Sequence, residues 1–150
     1  MKRIASIAVL AGLTFVAGAA LAHDDAWLDT QPSANGGQTR MAGAYHFELV
    51  VARDSKEVKE NPVLVYLTDH AGNKLPSAGA KGSVTLLAGK IKASVTLQPD
   101  GDNRLKGFAK YASEPNMKAV VSVTLAGKQP EQARFTPLAA VKDEHGGHRH

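Results

Sequence analysis

The chain has no cysteine among its 150 residues. That excludes disulfides as a source of stability, thiolate nucleophiles, and iron–sulfur or thiolate metal sites. Any metal must be held by imidazole, carboxylate, thioether or backbone, a donor set that suits copper, nickel or zinc. Aromatic residues are scarce, at four Phe, three Tyr and one Trp. No basic patch alternates with them, so the sequence offers no stacking surface for nucleic acid. Enzyme signatures are also missing: there is no Gly-rich phosphate loop, no G-x-S-x-G turn and no H-E-x-x-H pair. A non-enzymatic role is the expectation.

Only one long apolar run is present, and it stands at the start. Lys2 and Arg3 precede an Ala- and Gly-diluted stretch from Ile4 that closes on Ala20-Leu21-Ala22, a small-x-small cleavage pattern. This reads as a cleavable signal peptide over residues 1–22, giving an exported periplasmic protein with no membrane insertion after processing. Loss of Lys2 and Arg3 lowers the basic count from 18 to 16 against 14 acidic residues, so the mature net charge is about +2. The remaining 128 residues suffice for one domain with its own core.

No stretch of the mature chain carries a sustained helical period, although "DDAWLD" can form one turn. Strand signals dominate instead. In "AYHFELVVAR", Tyr45, Phe47, Leu49 and Val51 alternate with His46, Glu48, Val50 and Ala52. The tetrapeptide "SVTL" occurs at 83–86, 94–97 and 122–125, each time with Val and Leu on one face and a turn following. With "PVLVYLTD", "RLKGFAKYA" and "ARFTPL" the set comes to seven or eight strands. The expected fold is an all-β, antiparallel, immunoglobulin-like sandwich over 36–138. A flexible N-terminal segment at 23–35 and a flexible tail at 139–150 are expected to flank it.

Histidines are the chemically distinctive residues. Cleavage after Ala22 makes His23 the first residue, so that its α-amine and imidazole can chelate copper(II) together, with Asp24 near enough to add oxygen. That chelate is weak unless the fold supplies a third nitrogen. His46 and Glu48 share one strand face and can offer a nitrogen and an oxygen, although the more ordinary reading of such a pair is a solvent-facing polar stripe. Met41, Met117 and Trp27 resemble the thioether and indole surroundings of copper(I) carriers, or else they simply pack. His70 lies in the turn "TDHAGN" and reads as a turn residue. The tail "DEHGGHRH" places His145, His148 and His150 around a glycine hinge, a compositional metal signal. An N-terminal histidine on a β-sandwich also raises copper monooxygenase chemistry, but this small chain has too few aromatics for a substrate platform.

The segments "NGGQTRMAGAYHFELVV", "VLVYLTDHAGNKLPSAGAKGSVTLL", "LQPDGDNRLKG", "AVVSVTLAGK" and "ARFTPL" resemble a family of small periplasmic proteins. A similar module stands at the N-terminus of periplasmic adaptor subunits of heavy-metal efflux pumps of the resistance–nodulation–division class. The resemblance covers roughly residues 35–137. It implies a β-sandwich that handles metal, copper first, beside an efflux system whose adaptor is the implied partner. The family pattern often has His-Gly-Gly where this chain has Asn35-Gly36-Gly37, and asparagine is a poor ligand. The alternative expectation is an envelope interaction module without metal that docks on such an adaptor or another envelope component.

Overall fold

The structure is a computed structural model that describes residues 24–140. Residues 1–22, where the sequence leads one to expect a signal peptide, together with His23 and the tail histidines His145, His148 and His150, lie outside the described residues. The described chain is all-β apart from one short helix, α1 (Asp25–Asp29). Eight strands follow it: β1 (Gln38–Ala42), β2 (Tyr45–Val51), β3 (Lys59–Asp69) and β4 (Lys81–Ala88), then β5 (Ile91–Pro99), β6 (Arg104–Tyr111), β7 (Lys118–Thr124) and β8 (Pro130–Phe135). All pairings are antiparallel, in the order β1-β2-β3-β6-β5-β4-β7-β8. The expected antiparallel all-β class therefore holds.

Two four-stranded groups make up this order. Among the described residues the ladders of the two groups connect where Gln98 and Pro99 at the end of β5 pair with Lys106 and Leu105 of β6. At that corner Gly107 allows the strands to approach: a Cβ there would run into Val95 and stand 2.7 Å from the Thr96 carbonyl oxygen. At the other end of the order, β1 meets β8 through Gln38. The Thr136 N–H donates to Gln38 Oε1 at 2.8 Å.

The three "SVTL" copies lie on adjacent strands β5, β4 and β7, with Val84 opposite both Val95 and Val121. Their Val residues are buried, as are Leu86, Leu97 and Leu125, while Ser83, Ser94 and Thr96 face outward. Period-2 alternation thus puts one side of each strand into the core. The same rule buries Phe47, Leu49 and Val51 of β2 against Val63, Val65 and Leu67 of β3. Met117 is fully buried in this core, so it takes no part in any surface thioether site.

β3 begins at Lys59, three residues before the apolar run "PVLVYLTD" that marks it in the sequence. Proline inside a strand removes a ladder donor, and the β2–β3 ladder stops at Val51–Val63, beside Pro62. The Tyr111 hydroxyl fills the gap: it accepts from Ala52 N at 2.9 Å and donates to Pro62 O at 2.6 Å. Burial raises the Tyr111 pKa, and the Ala52 N–H only partly opposes that shift.

Candidate functional site

At His46 and Glu48 the outer face of β2 is largely covered, while Val50 further along is half-buried. His46 and Glu48 are buried, at 7% and 6% exposure, which removes the solvent-facing stripe as a description of this pair. What covers them is the chain from Asp24 to Gly37, which lies over the outer face as a strap. Alternation along β2 places these two side chains outward correctly, but it carries no information about a segment more than ten residues upstream that folds back over them.

Residues 24–35 are the described part of the segment expected to be flexible. Asp24 caps α1, its Oδ1 accepting from Trp27 N at 2.8 Å. One oxygen of Asp24, named above as a possible ligand, is thus committed to the helix start. Arg40 of β1 is nearly buried and grips Asp29 with two guanidinium nitrogens, at 2.6 and 3.2 Å. Asp25 takes the Met41 N–H at 2.9 Å. The strap is therefore fastened to β1 along α1, and Leu28 is the residue it buries.

Its second fastening is Glu48. Oε1 accepts from Asn35 N at 2.8 Å and Gly37 N at 3.0 Å, and Oε2 accepts from Asn35 Nδ2 at 2.8 Å. Gly36 sits at φ 74, and a Cβ on Gly37 would crowd Val50 at 2.8 Å, so both glycines are needed for this approach. Arg53 also donates to the Gly36 carbonyl. Asn35-Gly36-Gly37 is thus an anchor, and Glu48 is its acceptor. A carboxylate has about four acceptor positions, of which three are taken here. That leaves Glu48 little capacity as a metal ligand.

Between strap and sheet lies a cleft of about 460 Å³. Trp27, Asn35, His46, Tyr66, Thr68 and His70 are among its lining residues. The two histidines come together by register. His46 stands opposite Thr68 on β3, and His70 is two residues beyond Thr68, so the rings stack with centroids 4.9 Å apart and an interplanar angle of 27°. The Nε2 atom of His70 is enclosed and has no hydrogen-bond partner among the described residues.

The loop that presents His70 is tightly wound. Asp69 Oδ1 accepts from Ala71 N and Asn73 N, both at 2.9 Å, and Oδ2 accepts from Asn73 Nδ2 at 3.0 Å. The Asn73 side-chain amide, with the Asn73 and Ala71 N–H groups, holds the Asp69 carboxyl below the usual carboxylate range. His70 is thus a turn residue, as the sequence suggests, but one whose ring is delivered to His46.

Among the described residues no three His, Asp or Glu side chains converge on one point. The fold therefore offers two imidazoles at an open cleft rather than a closed coordination sphere. Trp27 lines that cleft and is 43% exposed. No family model, curated protein or solved structure matches the chain.

Proposed function

We propose that this chain is an exported periplasmic metal-binding accessory protein. It takes copper(II), with zinc(II) and nickel(II) as competitors, on the imidazoles of His46 and His70. It then sequesters the ion or passes it to a heavy-metal efflux system through that system's periplasmic adaptor. One observation carries the reading: two histidines from different segments stack at a solvent-open cleft, and one ring nitrogen is enclosed without a hydrogen-bond partner among the described residues. Buried polar atoms left without a partner are uncommon and call for an explanation. A lone pair kept available for a metal is one.

The chemistry is ligand exchange at imidazole, with no bond made or broken in a substrate. Copper(II) is favoured because nitrogen sites generally bind it more tightly than its first-row neighbours, and no thiolate competes for a softer ion. Only the neutral imidazole binds, so uptake weakens as pH falls. Calorimetric titration of copper(II) into the mature protein, His46→Ala and His70→Ala tests the reading. Each substitution is expected to weaken binding by at least about tenfold. Unchanged affinity in both would end it.

The second reading is an interaction module without metal. It has Phe108 in its favour, 54% exposed on β6 opposite Pro62. It predicts that Phe108→Ser abolishes capture of the adaptor while the histidine variants remain silent.

A further inference from the structure

We infer that the outer face of β3 and β6 is a docking surface for an extended, acidic segment of a partner protein. That segment sets one apolar side chain between two carboxylates, at the i, i+2, i+4 spacing of a strand. The inference gives the Phe108 face of the second reading its partner chemistry, and it stands whether or not the histidine pair takes copper.

Alternation builds this face. On β6, Leu105, Gly107, Ala109 and Tyr111 are buried, so Arg104, Lys106, Phe108 and Lys110 point the other way. Three cations and one aromatic ring thus stand in a row on one strand. The ladder sets Leu64 of β3 opposite Lys106, Pro62 opposite Phe108 and Glu60 opposite Lys110, and Val50 of β2 lies opposite Leu64. Val50 and Leu64 are half-buried, while Pro62 and Phe108 are exposed. Four apolar residues on three adjacent strands are therefore contiguous.

A lone exposed apolar residue is ordinary on a protein surface. Phe108 differs in lying mid-strand within that patch, with more than half of its surface exposed. The strap leaves it uncovered, since the strap's end at Gly37 comes up against Val50 of β2, two strands short of β6.

The charges define what fits. Arg104 is held by Asp100 at 2.8 Å. Lys106 lies over the Phe108 ring, 5.1 Å from its centroid. Among the described residues neither Lys106 nor Lys110 forms an ion pair. These two ammonium groups stand four residues apart on one strand, about 13 Å at about 3.3 Å per residue, with Phe108 midway. An extended segment has the same rise and the same period. Its carboxylates at i and i+4 therefore meet the two lysines while its side chain at i+2 rests on Phe108 and Pro62.

Other occupants match less well. A second copy would bring this cation-rich row against itself, and like charges in apposition oppose docking. An anionic lipid surface attracts the lysines but meets the Glu60 carboxylate opposite Lys110. Two free lysines also fall short of the cluster of about four to eight basic residues that reads as lipid-binding.

Titration of the isotopically labelled mature protein with a short synthetic peptide tests this, the peptide carrying glutamates on either side of a leucine at the i, i+2, i+4 spacing. Amide shifts are expected at Val50, Leu64, Lys106, Phe108 and Lys110, and binding should weaken as salt is added. Phe108→Ser and Lys106→Ala/Lys110→Ala, checked for an unchanged thermal midpoint, should each lower affinity about tenfold. His46→Ala/His70→Ala should leave it unchanged. No shift at this face, or parental affinity in both surface variants, overturns the inference. So does equal binding of a peptide with lysines in place of the glutamates. Binding to phosphatidylglycerol vesicles but not to the peptide would make the face a lipid site, and a dimer broken by Phe108→Ser would make it a self-contact; either result overturns the inference. If Phe108→Ser abolishes adaptor capture while the peptide leaves the face untouched, the acidic-segment inference falls and the second reading stands.

Discussion

Replacing Glu48 with alanine removes the acceptor for three hydrogen bonds that hold Asn35 and Gly37 against β2. Hydrogen bonds to a charged partner contribute about 1.5–3 kcal/mol each where the donor is left dry, and about 0.5–1.5 kcal/mol where water replaces the partner. Asn35 is exposed, so its donors regain water once the loop lifts. The carboxylate's own desolvation penalty disappears with it. The expected loss is therefore about 2–3 kcal/mol, concentrated in the strap, because Arg40 still holds α1. Amide exchange at Asn35 and Gly37 should accelerate strongly while the β4 and β7 amides change little. Trp27 is the only tryptophan and reports on the strap, so its emission should shift in the native baseline before global unfolding in urea. An unfolding free energy within about 0.5 kcal/mol of the parent, with Asn35 and Gly37 still protected, would refute the clamp.

Gly107→Ala should destabilise by about 1–3 kcal/mol, since the new methyl meets Val95 and the Thr96 carbonyl at the corner between β5 and β6. Chemical denaturation checks it, and a neutral effect would mean that the corner is not close-packed. Tyr111→Phe should cost about 1–3 kcal/mol at neutral pH, because Ala52 N and Pro62 O lose the hydroxyl that joins them. The Tyr111 pKa is raised on folding, so the folded state favours the neutral phenol. Its contribution is therefore complete below the unfolded value of about 10 and is lost as pH rises through the folded value. Thermal melts across the alkaline range should show a fall in stability in the parent that is smaller in Tyr111→Phe.

Local alternation made the strands legible. "SVTL" declares which side is buried whichever strand it falls on, and the turns after it bound the elements. "YHFELVV" likewise shows that His46 and Glu48 share the outer face, but not that the outer face is covered. That fact depends on Asp29 meeting Arg40 and on Asn35 meeting Glu48, contacts between segments that no periodicity connects. Asn35-Gly36-Gly37 looks like a site that has lost its ligand only when set against the family pattern the sequence resembles, whereas its amide and N–H groups serve as donors to Glu48. His70 was hidden by register. Once His46 is placed opposite Thr68, the period of two puts residue 70 on the same face, but only the pairing of β2 with β3 supplies that alignment.

The most direct test of the central claim is to map where the metal sits. Substoichiometric copper(II) added to the mature, isotopically labelled protein broadens amide signals near the ion. The account predicts selective broadening at Met41, His46, Thr68, His70 and Ala71, which surround the stacked pair, and at the strap residues near Asp24. Broadening confined to residues 141–150, with the β2–β3 signals untouched, would contradict it.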